Sequence, residues 1–381
     1  MKTVSLLHPF TPKAAGVIEK SVPTDHSQPH VKALRNISGN YSCAITYFTP
    51  KLFKYSISES GIIWNFFPVS YALNGDYKKW KKQFSKSCLT HFEKETPDIT
   101  IINMSGHSSR FSYEISKIIL KKNKQYIAML GGQEYNDAQW IIDYYKNANH
   151  VLVHTDLQKN EMLGMEMFKN IDIRVFPLGV DCTDFTPINQ KKTSVLESPK
   201  LLYVGKIVEW KRVHLTIEAL NYLIKNGFPH ATLKIIGPVV SQNYFLQLKQ
   251  QIANYNISNQ VTFEGQIVHD KLPVHFQNAD LLLLPSDKET FGMVMIESMA
   301  CGTPVAAINC IGGPLDVITN NIDGILSSVD TYVKDIFNLF LNRDLFQSLK
   351  TNARKTVLEK YSIEKTTTVL LKSINSSLPT L

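Results

Sequence analysis

Two glutamates in the second half of the chain have the spacing needed to hold a charged, hydroxylated ligand. Glu289 and Glu297 are separated by seven residues, and Gly292 lies between them at the predicted start of a helix after the apolar run 281–284. The first N–H groups of a helix have no partner inside it, so they attract a phosphate. Carboxylates accept hydrogen bonds from hydroxyls. The pattern therefore indicates a polyol joined to a diphosphate.

The phosphate-binding N–H groups are expected at Gly292, Met293 and Val294, at the start of that helix. The helix dipole adds partial positive charge at the same end. This arrangement places a candidate anion site between the two carboxylates.

A basic segment near the start of the second half provides the complementary charge. Lys206, Lys211 and Arg212 follow a predicted strand that ends at Gly205. Cations at this point would attract the negative charge of a phosphate-bearing ligand. The Gly205-Lys206 pair is not a Walker phosphate loop, because Ile207 stands where that motif needs Ser or Thr.

The composition is that of a folded, globular chain. Of 381 residues, 44% are hydrophobic and 19% are charged, and at roughly 150 residues per domain the length predicts two or three domains. Lys and Arg number 41 against 33 Asp and Glu, a net charge of +8. A surplus this diffuse favours phosphates or an anionic membrane surface and does not indicate nucleic acid as a partner.

Several classes of protein are disfavoured by what the sequence contains. Its apolar runs are shorter than the roughly 18–20 residues of a membrane span, and residues 1–8 are too soon interrupted for a signal peptide. A cytoplasmic location is therefore predicted. The five cysteines are widely spaced without a C-x-x-C pair, a pattern that favours neither a zinc site nor a disulfide framework.

Short apolar runs alternate with helical stretches, which predicts an α/β protein with parallel sheets covered by helices. A polar stretch at 181–199 interrupts the alternation. We therefore predict two doubly wound, Rossmann-like domains facing each other across a cleft, the first over residues 1–185 and the second over 186–381. The predicted strands are 3–7, 44–48, 99–104, 126–130, 151–154, 201–204, 233–236, 261–263, 281–284 and 305–308.

The motifs around the glutamates resemble the signature of retaining glycosyltransferases of the GT-B fold, family 4. The sequence P-S-x-x-E-T-F-G at 285–292 contains the first glutamate and Phe291, and A-C-G-T-P-V follows at 300–305. The resemblance implies that Glu289 holds hydroxyls of the donor sugar and that Glu297 holds the nucleotide ribose. It also implies that the domain over 1–185 binds the acceptor, that the domain over 186–381 binds the donor, and that the last helix, about 363–376, packs back on the first domain.

The basic segment resembles the same family's V-G-R-L-x-x-x-K-G motif, whose Arg and Lys neutralise the donor diphosphate. Lys211 matches the motif, Lys206 replaces its Arg, and Arg212 replaces its last Gly. Lysine keeps the charge of arginine but loses its bidentate fork.

Other glycines and the first half of the chain give weaker signals. By the resemblance, the turns at Gly237 and Gly265 lie near the diphosphate and the nucleobase, with backbone groups around Gln266 contacting the base. Gly16 is expected near the donor. The histidine that many members carry after the fourth strand is absent, so His107 is the best alternative polar group.

These observations together predict a retaining glycosyltransferase that moves a sugar from a nucleotide diphosphate sugar, a UDP-sugar above others, to a hydroxyl of a glycan, lipid-linked or small-molecule acceptor. The sequence lacks the G-x-G-x-x-G motif of a dinucleotide-binding oxidoreductase and the Asp-x-Asp tripeptide of a metal site. No metal or other cofactor is therefore expected. Two alternatives remain open: a noncatalytic nucleotide-sugar-binding protein of the same fold, and a phosphorylase or synthase that uses a sugar phosphate.

Residues 77–86 are the notable charge run. Tyr77, Trp80 and Phe84 recur at helical spacing with lysines between them. A basic helix with an aromatic face can lie on anionic lipid at the inner face of a membrane. A core-packed aromatic stripe with a solvated lysine face fits the pattern better.

Overall fold

The computed structural model describes residues 1–15, 17–24, 28–70, 82–104, 109–132, 135–188 and 197–378. The chain divides into two compact units, one formed by Met1–Leu178 with Glu364–Leu381 and the other by Gly179–Ile363. The sequence pattern placed the boundary at 185/186. The last helix belongs to the first unit, where Thr366 Oγ1 donates to the carbonyl of Pro177 at 2.8 Å.

An eight-stranded sheet forms the centre of the first unit. Its strands are β1 (Thr3–Leu7), β2 (Ser42–Thr49), β3 (Tyr55–Glu59), β4 (Ile62–Pro68), β5 (Ile99–Met104), β6 (Gln125–Leu130), β7 (Val151–Val153) and β8 (Ile173–Val175). They lie in the order β3-β4-β2-β1-β5-β6-β7-β8. Adjacent strands are parallel except β3 and β4, which form an antiparallel hairpin.

The sequence pattern did not predict β3, β4 or β8 in this unit, nor the last strand of the second unit, Ile325–Ser327. The hairpin turn has positive φ at both Ser60 (52°) and Gly61 (74°), as a two-residue turn between antiparallel strands requires. Most of β3 is exposed at the edge of the sheet. Because its residues include two serines and a glutamate, the strand has no apolar run that would reveal it.

Helices flank this sheet, and the helices that precede the boundary are α1 (Pro29–Asn36), α2 (Lys86–Lys94), α3 (Arg110–Lys121), α4 (Gln139–Lys146) and α5 (Asp156–Leu163). The helix expected over 77–86 does not extend through its described part. Ser85 is in an extended conformation and its side chain accepts the Cys88 N–H, so α2 begins only at Lys86. Residues 77–81 lie outside the described residues.

The second unit has a six-stranded parallel sheet in the order β11-β10-β9-β12-β13-β14. Its strands are β9 (Lys200–Val204), β10 (Thr232–Ile236), β11 (Val261–Gly265), β12 (Leu281–Leu284), β13 (Val305–Ile308) and β14 (Ile325–Ser327). The later helices are α6 (Val213–Lys225), α7 (Gln242–Tyr255), α8 (Pro273–Asn278), α9 (Met293–Ala300), α10 (Gly313–Val317), α11 (Tyr332–Leu341), α12 (Arg343–Lys360) and α13 (Ile363–Ser377). All four residues of β12 are buried, as expected for a strand covered on both faces.

The predicted α/β class and the two Rossmann-like parallel-sheet units are confirmed. Both sheets are doubly wound. In the second unit, β10 and β11 lie on one side of β9, and β12 to β14 lie on the other. In the first unit the same reversal occurs between β1 and β5. Ligands of such sheets bind outside the carboxyl ends of the strands at the point where the strand order reverses.

Within the described ranges, none of the helices combines the length and the apolar character that crossing a membrane would require.

Candidate active site

An ion pair lies at the reversal point of the second unit. Lys211 is in the loop after β9 and Glu289 is in the loop after β12, and these two strands are neighbours in the sheet. Lys211 Nζ contacts Glu289 Oε1, and the two side chains are only 12% and 9% exposed. Ser286 Oγ donates to the same carboxylate oxygen at 2.7 Å. Lys211, predicted to bind the donor diphosphate, and Glu289, predicted to bind the donor sugar, are thus in direct contact.

The same two loops are joined a second time by Arg212 and Asp287. The guanidinium of Arg212 forms an ion pair with the Asp287 carboxylate, and the Asp287 N–H donates to the carbonyl of Trp210 at 2.8 Å. Arg212 has a left-handed backbone with φ of 47°. That conformation is the one glycine adopts without strain, so the substitution for the motif's Gly keeps the backbone shape and adds a side chain that ties the loops.

Glycines after β13 support the backbone of Glu289. Glu289 and Gly312 form a parallel bridge, and the N–H of Gly313 donates to the Glu289 carbonyl at 3.2 Å. A Cβ on Gly312, whose φ is 111°, would lie 1.7 Å from that carbonyl oxygen. Only glycine permits this approach, so the third loop fixes the height of Glu289 above the sheet.

Glu297 has a separate partner. It is buried on α9, and its Oε1 lies 2.8 Å from Nε2 of His269, which is in the turn after β11. Gly292, with φ of 81°, precedes the helix as expected. The sequence analysis missed His269, although it lies only a few residues after Gly265 and Gln266. Glu289 and Glu297 are therefore two distinct carboxylate positions.

The remaining predicted donor residues surround these pairs. The N–H of Gly237 donates to the Gly265 carbonyl at 2.7 Å, and a Cβ on Gly237 would lie 1.9 Å from the Gly205 carbonyl oxygen. These glycines therefore pack the loops against one another. Lys206 and Gln266 are exposed, Phe291 is buried, and Met293 and Val294 are half-buried.

Tyr203 connects the sheet to this site. Its hydroxyl donates to the Lys206 carbonyl at 2.9 Å. Burial, with a smaller contribution from the negative charge of Glu289, raises the pKa of Tyr203. The phenol therefore stays neutral and acts as a hydrogen-bond donor that holds the loop of Lys206.

The first unit has a buried polar cluster at its own reversal point. His8 follows β1 and Asn103 lies near the end of β5, and Asn103 Nδ2 is 3.3 Å from His8 Nδ1 and 3.2 Å from His30 Nε2. The ring of His8 stacks on Tyr47 with centroids 4.1 Å apart. Among the described residues, His8 Nε2 has no hydrogen-bond partner. A buried donor or acceptor left in this way is costly, which marks the position as suited to a polar ligand atom.

The histidines of this cluster are neutral. Burial, with a smaller contribution from His154, lowers the pKa of His30 to about 3. Burial also lowers the pKa of His154 to about 4, while its Nδ1 lies 3.2 Å from the carbonyl of Phe176. His107 was predicted as the polar group of this half and Gly16 was expected near the donor, and both lie outside the described residues. A buried His at a strand end has no distinctive sequence signature, so the cluster could not be found from the sequence.

Comparison with known proteins shows that the second unit is similar to one family. Residues 184–356 match the family model described as glycosyl transferases group 1. The chain is 31% identical over 195 residues to D-inositol 3-phosphate glycosyltransferase of Paenarthrobacter aurescens. The aligned region covers 49% of this chain and 46% of that protein. It is 30% identical over 180 residues to N-acetyl-alpha-D-glucosaminyl L-malate synthase of Bacillus anthracis, covering 46% and 45%. The chain thus spans about half the length of the curated relatives it matches.

Solved structures share the whole fold. Anabaena HepE in complex with UDP has a TM-score of 0.72 at 16% identity and covers 99% of this chain and 100% of its own. A glycosyltransferase from Rickettsia africae has a TM-score of 0.75 at 19% identity, covering 100% and 99%. The two-unit arrangement of parallel sheets is thus the GT-B fold.

Substituting Gly312 tests the support of Glu289. Gly312→Ala is expected to lower the free energy of unfolding by about 3 kcal/mol or more, because strain at positive φ is added to a backbone clash. Gly227→Ala is the matched control, since Gly227 has the same φ of 111° but open space around a Cβ. It should cost only about 1 kcal/mol. Equal costs in urea denaturation would contradict the close approach of the two loops.

The buried histidines predict a specific loss of stability in acid. As the pH falls from about 6.5 to 4, the unfolded chain takes up a proton at His154 that the folded chain does not, so the folded state loses stability across this window. His154→Asn keeps a donor at the position of Nδ1 but cannot titrate. Between pH 7 and 4.5 the variant should lose about 1–3 kcal/mol less stability than the wild type. If urea denaturation shows that the free energy of unfolding falls equally with pH in the two proteins, His154 is not buried in its neutral form.

Proposed function

We propose that the chain transfers a sugar from a nucleotide diphosphate sugar to a hydroxyl acceptor, and the match of residues 184–356 to the family model described as glycosyl transferases group 1 supports this proposal. The single observation that carries the proposal is the buried pair of Lys211 and Glu289 at the reversal point of the donor unit. A cation and a carboxylate at one position match a ligand that has a diphosphate next to sugar hydroxyls.

The donor exchanges partners with this pair when it binds. Lys211 moves its contact from Glu289 to the diphosphate, which leaves the carboxylate to accept hydrogen bonds from the sugar. Each buried charge then keeps a partner throughout, which avoids the cost of an isolated buried ion. Lys206 adds a second positive charge from its exposed position on the same loop.

Glu297 holds the ribose in this proposal. Its carboxylate is oriented through Oε1 by His269, so ribose hydroxyls meet a fixed acceptor. Backbone groups near Gly265 and Gln266 contact the base. UDP is the proposed nucleotide, and support comes from HepE of Anabaena, whose structures are described in complex with UDP and with UDP-glucose.

The reaction proposed is a transfer with retention, on the basis of the sequence signature. The bond between the anomeric carbon and the phosphate oxygen breaks, and the acceptor oxygen bonds to the same face of that carbon. The proton of the acceptor hydroxyl passes to the departing phosphate oxygen. Lys211 stabilises the negative charge that develops on the diphosphate.

The acceptor is proposed to bind the first unit. The cluster of His8, His30 and Asn103 lies at that unit's reversal point and its histidines are uncharged, so it is suited to hydroxyl groups, which both donate and accept hydrogen bonds. The acceptor is proposed to be a glycan, a lipid-linked molecule or a small molecule. Roles for His107 and Gly16 stay predictions.

We also propose that the reaction needs no metal or other cofactor, since lysines supply the positive charge, and that it takes place in the cytoplasm. Peripheral contact through residues 77–86 stays a prediction.

Calorimetric titration with UDP and UDP-sugars in the presence of EDTA, together with UDP release assays, tests the donor site. Lys211→Ala should weaken UDP binding at least tenfold, about 1.4 kcal/mol, and lower turnover by orders of magnitude.

Glu289→Gln should leave UDP binding nearly unchanged but reduce sugar transfer about a hundredfold or more, because it affects the sugar and not the nucleotide. Lys334→Ala, an exposed lysine on α11, is the charge-matched control.

Each contrary outcome identifies a different function. Wild-type protein that binds a sugar phosphate and no nucleotide would indicate a phosphorylase or synthase. Nucleotide-sugar binding without turnover on any acceptor would indicate a noncatalytic binding protein. Wild-type activity in Lys211→Ala or Glu289→Gln would contradict the site assignment.

A further inference from the structure

A loop of the first unit exposes two neighbouring bulky apolar side chains. Leu52 is 84% exposed and Phe53 is 81% exposed, in the turn that connects β2 to β3. Single exposed apolar residues are ordinary. Two adjacent apolar side chains that are this exposed, with Lys51 and Lys54 on either side, form a small apolar tip flanked by positive charge. We call residues 51–54 the apolar tip.

The base of the apolar tip is held by Glu19. Glu19 Oε1 accepts hydrogen bonds from the hydroxyls of Tyr55 at 2.5 Å and Thr49 at 3.0 Å, so one carboxylate binds both ends of the turn. Lys51 Nζ lies 3.6 Å from the same oxygen and 3.8 Å from the centre of the Tyr55 ring. The tip therefore presents its apolar side chains from a fixed base.

The contact with Glu19 brings a third exposed apolar side chain to the same region. Ile18, directly before Glu19, is 73% exposed. Lys20 follows it and is also exposed, as is Lys54. The surface thus combines three exposed apolar side chains with lysines. The negative charge of Glu19, which fixes the base of the turn, is balanced by the positive charge of Lys51.

We propose that the apolar tip, with Ile18, docks the protein on an anionic lipid bilayer. Leu52 and Phe53 enter the boundary between headgroups and acyl chains, and the lysines remain at the level of the lipid phosphates. Cations near such a surface add attraction that depends on the negative charge of the lipid. This surface is different from the segment 77–86 and consists entirely of described residues.

Charge and size both favour a bilayer over a protein partner. The rim of the patch is lysine, which is depleted in protein interfaces. A tip of four residues with one neighbouring side chain is small beside the roughly 800 Å² per partner that a stable protein complex buries. A bilayer imposes no such minimum, because a few side chains and several cations together give reversible binding.

Co-sedimentation of the full chain with vesicles tests the proposal without any nucleotide, so its failure is separate from failure of the proposed function. Wild-type protein should bind vesicles that contain about 40% phosphatidylglycerol and bind phosphatidylcholine vesicles at least tenfold more weakly. The double variant Leu52→Ser with Phe53→Ser should lose at least tenfold in affinity for the anionic vesicles. Its nucleotide binding should be unchanged.

A matched control keeps the number of apolar residues removed the same. Leu163→Ser with Leu341→Ser removes two exposed leucines, 51% and 60% exposed, at other positions and should leave vesicle binding within about twofold of the wild type. Lys51→Gln with Lys54→Gln should weaken binding to anionic vesicles and reduce the difference between the two lipids.

Fluorescence gives a local readout. In Phe53→Trp, the emission of the added indole, measured as the difference from wild type, should shift to shorter wavelength when anionic vesicles are added, because the ring leaves water. An unshifted difference spectrum would overturn the proposal.

Other results would also overturn it. These are an absence of wild-type binding to anionic vesicles, equal binding by the Leu52 and Phe53 double variant, or loss of binding only when the lysines at 78, 79, 81 and 82 are changed to Gln. A concentration-dependent mass increase in solution that the double variant abolishes would assign the tip to contact with a second copy of the chain.

Discussion

The ion pair between Lys211 and Glu289 depends on a topological constraint that shapes the whole second unit. The two residues belong to loops that follow β9 and β12, which are far apart along the chain but adjacent and parallel in the sheet. Parallel neighbours end at the same edge, so their loops must meet there. The reversal of strand order separates the connecting helices on either side and leaves room for a ligand at this edge. Charge, depth and access at the site all follow from that position.

Holding two opposite charges in a buried position needs rigid loops around them. Arg212 and Asp287 join the two loops through their side chains, and Gly312 brings a third loop against the backbone of Glu289. An ion pair of this kind contributes little to stability once desolvation is counted. Its value lies in orientation, because each charge keeps the other in place until a ligand with matching groups replaces the contact.

The two units use the same topology with opposite electrostatics. At the reversal point of the second unit the side chains are charged. At that of the first unit His8 and His30 are neutral because burial penalises their protonated forms. A charged site is suited to a diphosphate and a neutral one to hydroxyls. The proposed division of donor and acceptor between the units rests on this difference in charge, while the apolar tip adds a surface unrelated to either edge.

The sequence by itself determined the fold class, most of the apolar strands of both sheets and the candidate donor residues whose spacing is local, such as Glu289, Gly292 and Glu297. Local spacing can be recognised because a turn and the helix after it fix the relative positions of nearby residues. Only the tertiary structure decided which distant residues meet. It placed Asn103 beside His8 and His269 beside Glu297, and it showed that Arg212 has the backbone of a glycine. Such contacts depend on strand order, which no local pattern encodes, because it is set by how the apolar strands and helices pack together.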